Sequence, residues 1–123
     1  MANELTLSAS LAYEDSEGAD EVLAIAEKIA SVSTKKYVKA KQNIGTSEEA
    51  IGLGEVTSLG FSIFINRDST NYLELRSGTG AANDIIRINA GEFAMFRWGS
   101  DVTAPFAIAN TAACQMEYMI LST

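Results

Sequence analysis

The feature that most constrains the fold is a set of short runs in which apolar and polar residues alternate. A period of two places one kind of side chain on each face of an extended chain, so each run predicts a β-strand. The alternating apolar positions are Leu5, Leu7, Ala9 and Leu11, Phe61, Ile63 and Ile65, Leu73 and Leu75, Ile86 and Ile88, Phe93 and Met95, and Cys114, Met116, Tyr118 and Ile120. In a chain of 123 residues they predict an all-β fold, an antiparallel β-sandwich of jelly-roll type.

Turn-forming residues separate these runs. The segment RDSTN, residues 67–71, carries Asp68 and Asn71, whose side chains hydrogen-bond nearby backbone groups and so favour a turn. The segment NAGE, residues 89–92, is short enough for a tight hairpin between the runs on either side. Both segments are therefore predicted to join paired antiparallel strands.

The N-terminal part fits two periods. Within residues 20–33, apolar residues lie along one helical stripe and Asp20 is a candidate N-cap, which favours a helix. Leu23 and Ile25 also alternate with smaller residues, so a strand remains the alternative. We expect one β-sandwich domain over residues 1–123, with residues 1–36 as a candidate N-terminal arm or extension and 20–33 as a candidate short helix.

Composition excludes several functional classes. The net charge of −7 repels phosphate backbones, so we expect no nucleic-acid partner. No run is long and apolar enough to span a bilayer, and the start MANELTLSAS does not resemble a signal peptide, so no membrane association is expected. The sequence has no histidine, the commonest general base and metal ligand. The single cysteine, Cys114, allows no internal disulfide, which fits synthesis in a reducing cytosol.

Three motifs are candidates for chemistry. Gly78, Gly80 and Asn83 imitate part of a dinucleotide fingerprint, but the residues after them predict a strand where the pyrophosphate needs a helix. The acidic segment 14–21 lacks the spacing of an EF-hand, so a solvated turn is the simpler interpretation. Cys114 has no histidine to activate it and is expected to be an inert buried thiol. We therefore predict no catalytic, cofactor-binding or metal-binding residue, and a protein that is not an enzyme.

Two groups of residues are candidates for binding. Phe93, Phe96, Trp98 and Phe106 are aromatic residues on predicted strands, and a place in the core is favoured over an interface for them. The basic segment KKYVKAK, residues 35–41, suits an edge strand whose lysines prevent pairing with strands of other molecules. The alternative is that this segment binds the acidic surface of a partner.

Three stretches together resemble a family of small structural proteins of tailed bacteriophages. They are LGFSIFINRDSTNYLEL, IIRINAGEFAMFRW and APFAIANTAACQMEYMIL, and the resemblance covers roughly residues 40–123. It implies a virion protein, made in the host cytoplasm and located on the capsid surface, that decorates (cements) and stabilises the capsid. The implied partners are the major capsid protein or another virion protein, and copies of the chain itself, with a homotrimer favoured.

Two other roles remain open. The same resemblance allows a tail- or fibre-associated virion protein. A carbohydrate-binding module contacting the host surface would instead use Trp98 and Phe106 to stack on a sugar.

Overall fold

The structure is a computed structural model that describes residues 4–18, 20–31 and 36–123. The chain falls into two compact units, Met1–Lys35 and Lys36–Thr123. Within the described residues there are ten strands and one 3-10 turn, Ala81–Asn83. The strands are β1 (Glu4–Glu14), β2 (Asp20–Ser31), β3 (Tyr37–Ile44), β4 (Glu49–Ala50), β5 (Leu59–Asn66), β6 (Leu73–Arg76), β7 (Asp84–Ile88), β8 (Phe93–Arg97), β9 (Phe106–Ala109) and β10 (Cys114–Ser122).

The first unit is an antiparallel hairpin of β1 and β2. Leu11 lies opposite Leu23, and Ala12 lies opposite Val22. The register shifts between Leu7 and Ala9, where β2 carries one extra residue. The helix favoured over residues 20–33 is wrong for residues 20–31, which form strand β2. The same residues also alternate as a strand requires, and pairing with β1 stabilises that alternative. Residues 32 and 33 lie outside the described residues.

The second unit is a sandwich of two four-stranded antiparallel sheets, which confirms the predicted all-β class and antiparallel β-sandwich. The first sheet has the order β3-β10-β5-β8 and the second has the order β4-β9-β6-β7. In this unit, strands that are consecutive in sequence therefore lie in opposite sheets, and β6 and β7 are the exception. The basic strand β3 is an edge strand with Lys39 and Lys41 exposed, as predicted.

This order corrects the two predicted hairpins. The segment 67–71 joins β5 to β6, and the segment 89–92 joins β7 to β8, so each of them crosses from one sheet to the other. In the second segment, Gly91 has a φ of +77° and its N–H donates to the Asn66 carbonyl. Hydrogen bonds to the end of β5 thus direct the chain out of the second sheet and into the first.

The core lies between the two sheets and is built from the alternate residues of each strand that point inward. Phe64 is at its centre, with its ring stacked on Phe96 and Tyr118 at centroid distances of 5.9 and 5.7 Å. Trp98 meets the Phe64 ring edge-on at 5.9 Å. Leu73, Leu75, Ile88, Ala107 and Ala109 line the second sheet's side of the core. Aromatic pairs in these geometries add to the stabilisation from apolar burial.

Candidate interaction surface

The outer face of the first sheet is unusually apolar. Along β5 and β10, the residues between the core positions point outward, and several of them are also apolar. Ile63 lies opposite Met119 on one side and Met95 on the other, which makes a continuous apolar row across three strands. The apolar side chains of this face are Tyr37, Phe61, Ile63, Ile65, Phe93, Met95, Met119 and Leu121. We call this set, together with the charged residues at its border, the outer apolar face.

Cations border the outer apolar face. Lys39 and Lys41 project from β3, and Arg97 projects from β8 at the opposite edge with its guanidinium 5.8 Å from the Phe61 ring centroid. The one acid on these four strands, Glu117, pairs with Arg67 at 2.7 Å.

The charge of Glu117 is compensated by its neighbours. The Arg67 guanidinium donates to its Oε1, which lowers the pKa of Glu117, and Lys41 and Lys39 lower it further. The ion pair between Arg67 and Glu117 is partly exposed, so its contribution to the stability of the fold is small. The outer apolar face is therefore apolar in the middle and net positive at its border.

A small hollow lies on this face. Its volume is about 260 Å³, and it is lined by Ile63, Ile65, Met119, Lys39, Arg67 and Glu117 with an edge of Tyr118. It offers a place for a protruding apolar side chain, as at the anchor positions of protein interfaces.

The outer face of the second sheet differs because ion pairs cross it. Arg76, about nine-tenths buried, lies between Glu48 at 2.7 Å and Asp84 at 2.5 Å. Glu48 also accepts a hydrogen bond from the Gly80 N–H at 2.9 Å. This network holds the loop between β6 and β7 against the segment before β4.

The carboxyl groups of this network titrate differently. The hydrogen bond from Arg76 lowers the pKa of Asp84, whereas burial raises the pKa of Glu74, which lies beside Asp84. The Gly80 N–H, followed by Arg76, lowers the pKa of Glu48. Since Arg76 already forms ion pairs with Glu48 and Asp84, the arrangement serves to hold the loop between β6 and β7 in place.

The glycine motif does not build a phosphate site. After Gly78 and Gly80 the chain makes one 3-10 turn and then enters β7, so no helix N-terminus comes next. The Asn83 side chain donates to the Thr79 carbonyl at 2.6 Å, which closes the loop on itself. The motif is a hairpin loop.

The acidic segment forms the turn of the β1–β2 hairpin. Asp15 Oδ1 accepts a hydrogen bond from the Glu17 N–H at 2.9 Å, and Gly18 has a φ of +91°. Among the residues that the structure describes, no three His, Cys, Asp or Glu side chains are grouped so as to hold a metal ion.

Cys114 and Trp98 are core residues. Cys114 is fully buried and its burial raises the pKa of the thiol. Trp98 is 4% exposed, and its indole N–H donates to the Ser62 hydroxyl at 3.0 Å. Only an edge of Trp98 reaches a cavity of about 340 Å³ that it shares with Thr57 and Thr103. The ring faces needed for stacking on a sugar are therefore covered.

Sequence reasoning indicates that both faces of the segment 61–65 are partly covered, but it does not assemble the outer apolar face from its four strands. In β5 and β10 both parities are apolar: Phe64 lies between Ile63 and Ile65, and Met119 and Leu121 alternate with Ile120. A strand that is apolar on both faces is covered on both faces in proteins, by its own core on one side and by something else on the other.

Comparisons with known proteins identify no relative of this chain. No family model matches the chain, and neither a curated protein nor a solved structure is significantly similar to it. In the part of the chain that the structure describes, no helix is long and apolar enough to cross a membrane.

Proposed function

We propose that this chain is a structural assembly protein that acts through protein–protein contacts at the outer apolar face. The observation that carries the proposal is the composition of that face. Phe93 is 63% exposed and Tyr37 is 57% exposed, with Ile63, Met95 and Met119 beside them. A contiguous apolar surface bordered by polar groups is typical of an interaction site.

The resemblance to small structural proteins of tailed bacteriophages supports a more specific proposal. In it, the chain is a capsid-decoration protein on the virion surface that stabilises the capsid as a homo-oligomer, with a trimer favoured. The role requires no bond to be made or broken. Several weak contacts are enough when linked copies engage a repeating lattice, because each further contact becomes intramolecular.

We also infer that the sandwich is a jelly roll. Counted from β3 as the first strand, the sheet orders are 1-8-3-6 and 2-7-4-5. This interleaving supports two nested Greek keys, as in the double-sheet architecture that is common among capsid proteins.

The virion proposal is tested by quantitative mass spectrometry of purified virions of the phage that encodes the chain. We expect a copy number comparable to that of the major capsid protein. Absence from the particle would overturn the virion assignment, and a handful of copies would replace decoration by a tail or fibre location.

The role of the outer apolar face is tested in the same particles. We expect Ile63→Thr combined with Phe93→Ser to lower the amount of particle-bound protein at least about tenfold, because apolar contact area is lost. Ile85→Thr is the matched control, since Ile85 is 46% exposed on β7 of the other sheet. Equal losses for both variants would mean that this face has no special role.

A further inference from the structure

One face of the β1–β2 hairpin carries its largest group of exposed apolar side chains, which we call the apolar face of the hairpin. Residues opposite one another in a ladder share a face, so the pairs Leu11–Leu23 and Ala9–Ile25 lie on one side. Leu11 is 74% exposed and Leu23 is 77% exposed. An isolated two-stranded hairpin is at best marginally stable in water, and a third element packed on its apolar side is what stabilises it. The hairpin therefore needs a surface to pack on.

Acidic side chains collect at the turn end of this hairpin. Residues 4–31 contain seven acids, and five of them lie in residues 14–21. The single lysine, Lys28, lies opposite Leu7, at the end of the apolar face away from the turn. Glu21 lies opposite Tyr13, so negative charge reaches the end of the apolar face itself. A surface that fits the hairpin is apolar in its centre and cationic at its border.

The outer apolar face has these two properties. Its centre is the row of Met119, Ile63 and Met95, and Lys39 and Lys41 stand on the edge strand β3 beside it. The opposite charges favour one orientation, with the turn of the hairpin toward β3.

We propose that the apolar face of the β1–β2 hairpin of one copy packs on the outer apolar face of a second copy. This proposal rests on the proposed function, because it names the partner of the same face. The contact is sheet on sheet, with side chains from two apolar faces interleaved at a spacing of about 10 Å. Each copy gives one hairpin and receives one, so the contact is head-to-tail, and it makes a ring of copies where the rotation between neighbours closes.

The areas are consistent with a closed ring. The ten residue pairs of the ladder, at about 3.4 Å each, make a hairpin face about 34 Å long and about 10 Å wide, a footprint of about 340 Å². One such contact is small for a stable interface. In a ring of two copies, the same pair shares two such contacts and buries roughly twice this footprint per partner, which approaches the roughly 800 Å² of standard interfaces. In a ring of three copies each pair shares one contact, and closure of the ring links the three contacts.

Cross-linking of isotope-labelled copies tests which copy provides the hairpin. An equal mixture of ordinary and ¹⁵N-labelled chain is unfolded, refolded together and treated with a carbodiimide, which joins carboxylates to lysines in contact. We expect cross-links from residues 14–21 to Lys39 or Lys41, about half of them between one light and one heavy chain. Cross-links found only within chains of one label, or none from this segment to these lysines, would overturn the proposal.

Substitution of the hairpin provides a second test, read by size-exclusion chromatography with light scattering. We expect the full chain to be a dimer or trimer, and Leu11→Ser with Leu23→Ser to weaken association at least about tenfold. The matched control is Ala12→Ser with Val22→Ser, a facing pair on the other side of the same hairpin. A monomeric parent, or equal weakening by the control pair, would contradict the proposal.

The two proposals fail differently. If the sheet substitutions Ile63→Thr and Phe93→Ser release the protein from particles but the Leu11 and Leu23 substitutions change neither association nor particle binding, the face has another partner and only the hairpin proposal fails. If no substitution on either surface has an effect, both proposals fail.

Discussion

At the scale of single residues, a few buried polar side chains fix the crossings between the two sheets. Asn66, at the end of β5, is fully buried. Its amide donates to the carbonyls of Asn71 at 2.8 Å and Ile88 at 3.1 Å, and its Oδ1 accepts from the Asp68 N–H at 3.0 Å. The Asn66 side chain thus links the end of β5 to the 67–71 connection, through Asp68 and Asn71. It also links β5 to Ile88, at the end of β7, where the 89–92 connection begins. Burial of an amide is tolerated because each of its groups has a partner.

We predict that Asn66→Ala lowers the free energy of unfolding by about 2–3 kcal/mol, because it leaves two carbonyls and one N–H without a partner in the interior. Urea denaturation followed by tryptophan fluorescence measures the change. Asn43→Ala, at an exposed position of β3, is the control and should stay within about 0.5 kcal/mol of the parent. Similar losses for both would remove the special role of Asn66.

At the scale of elements, the pairing of β5 with β10 depends on a close backbone approach. Gly60 lies near the point where the register of these strands shifts, between Ile120 and Ser122. A Cβ at Gly60 would stand 2.8 Å from the Leu121 carbonyl oxygen. Because the obstacle is backbone, it cannot turn away as a side chain would.

Gly60→Ala is therefore expected to destabilise the sandwich by about 1–3 kcal/mol. In Gly45→Ala the new methyl group would meet only the flexible Glu49 side chain, at 3.5 Å, so this control should have little effect. Thermal denaturation by circular dichroism compares the two variants with the parent. A Gly60→Ala protein as stable as the parent would show that the backbone adjusts freely there.

Local sequence predicts the strands better than their partners. Short apolar runs between turn-forming segments are enough to identify β5, β8 and β10 as strands, although both faces of β5 and β10 are apolar. Turn chemistry at residues 67–71 and 89–92 indicates a change of direction, but it does not indicate which sheet the next strand joins. That choice depends on pairing between distant residues, such as β3 with β10.

The candidate surface was predictable only in part. Sequence reasoning places Lys39 and Lys41 on an edge strand, and the structure agrees. The local pattern of β5 and β10 indicates that both of their faces are apolar, but the outer apolar face combines residues from four strands, so no single segment of sequence contains all of it. For β2, an apolar stripe with helical spacing coincides with alternation, and only pairing with β1 decides between the two periods.

At the scale of the whole molecule, charge is unevenly distributed. Residues 4–31 carry seven of the sixteen acids, whereas the arginines Arg67 and Arg76 of the sandwich are paired with its own carboxylates. The pKa values of four carboxyl groups are lowered by hydrogen bonds, and these groups are Glu48, Asp68, Asp84 and Glu117. Glu74 is an exception, since burial raises its pKa.

These directions predict acid-sensitive stability. A carboxyl group whose pKa is lowered by folding contributes stability above its unfolded value, here 3.8 for Asp and 4.5 for Glu, and loses it as the pH falls through the lower folded value. Urea midpoints measured from about pH 7 down to about pH 3 should therefore fall most steeply below about pH 4.

Arg67→Gln removes the partner of Glu117 and should make this decline shallower, whereas Lys36→Gln, at an exposed position away from this ion pair in sequence, should not. The same urea midpoints provide the measurement for both variants. A parent midpoint that stays constant down to about pH 3 would contradict the assignment of these pKa shifts.

The position of β10 has a consequence for biosynthesis. This strand, Cys114–Ser122, is the last of the ten to leave the ribosome, yet it lies in the interior of its sheet between β3 and β5. Until it emerges, β3 and β5 have no common neighbour and the aromatic cluster around Phe64 lacks Tyr118. The first sheet therefore cannot be completed before β10 has been translated, and the apolar segments of the earlier strands stay exposed to chaperones in the meantime.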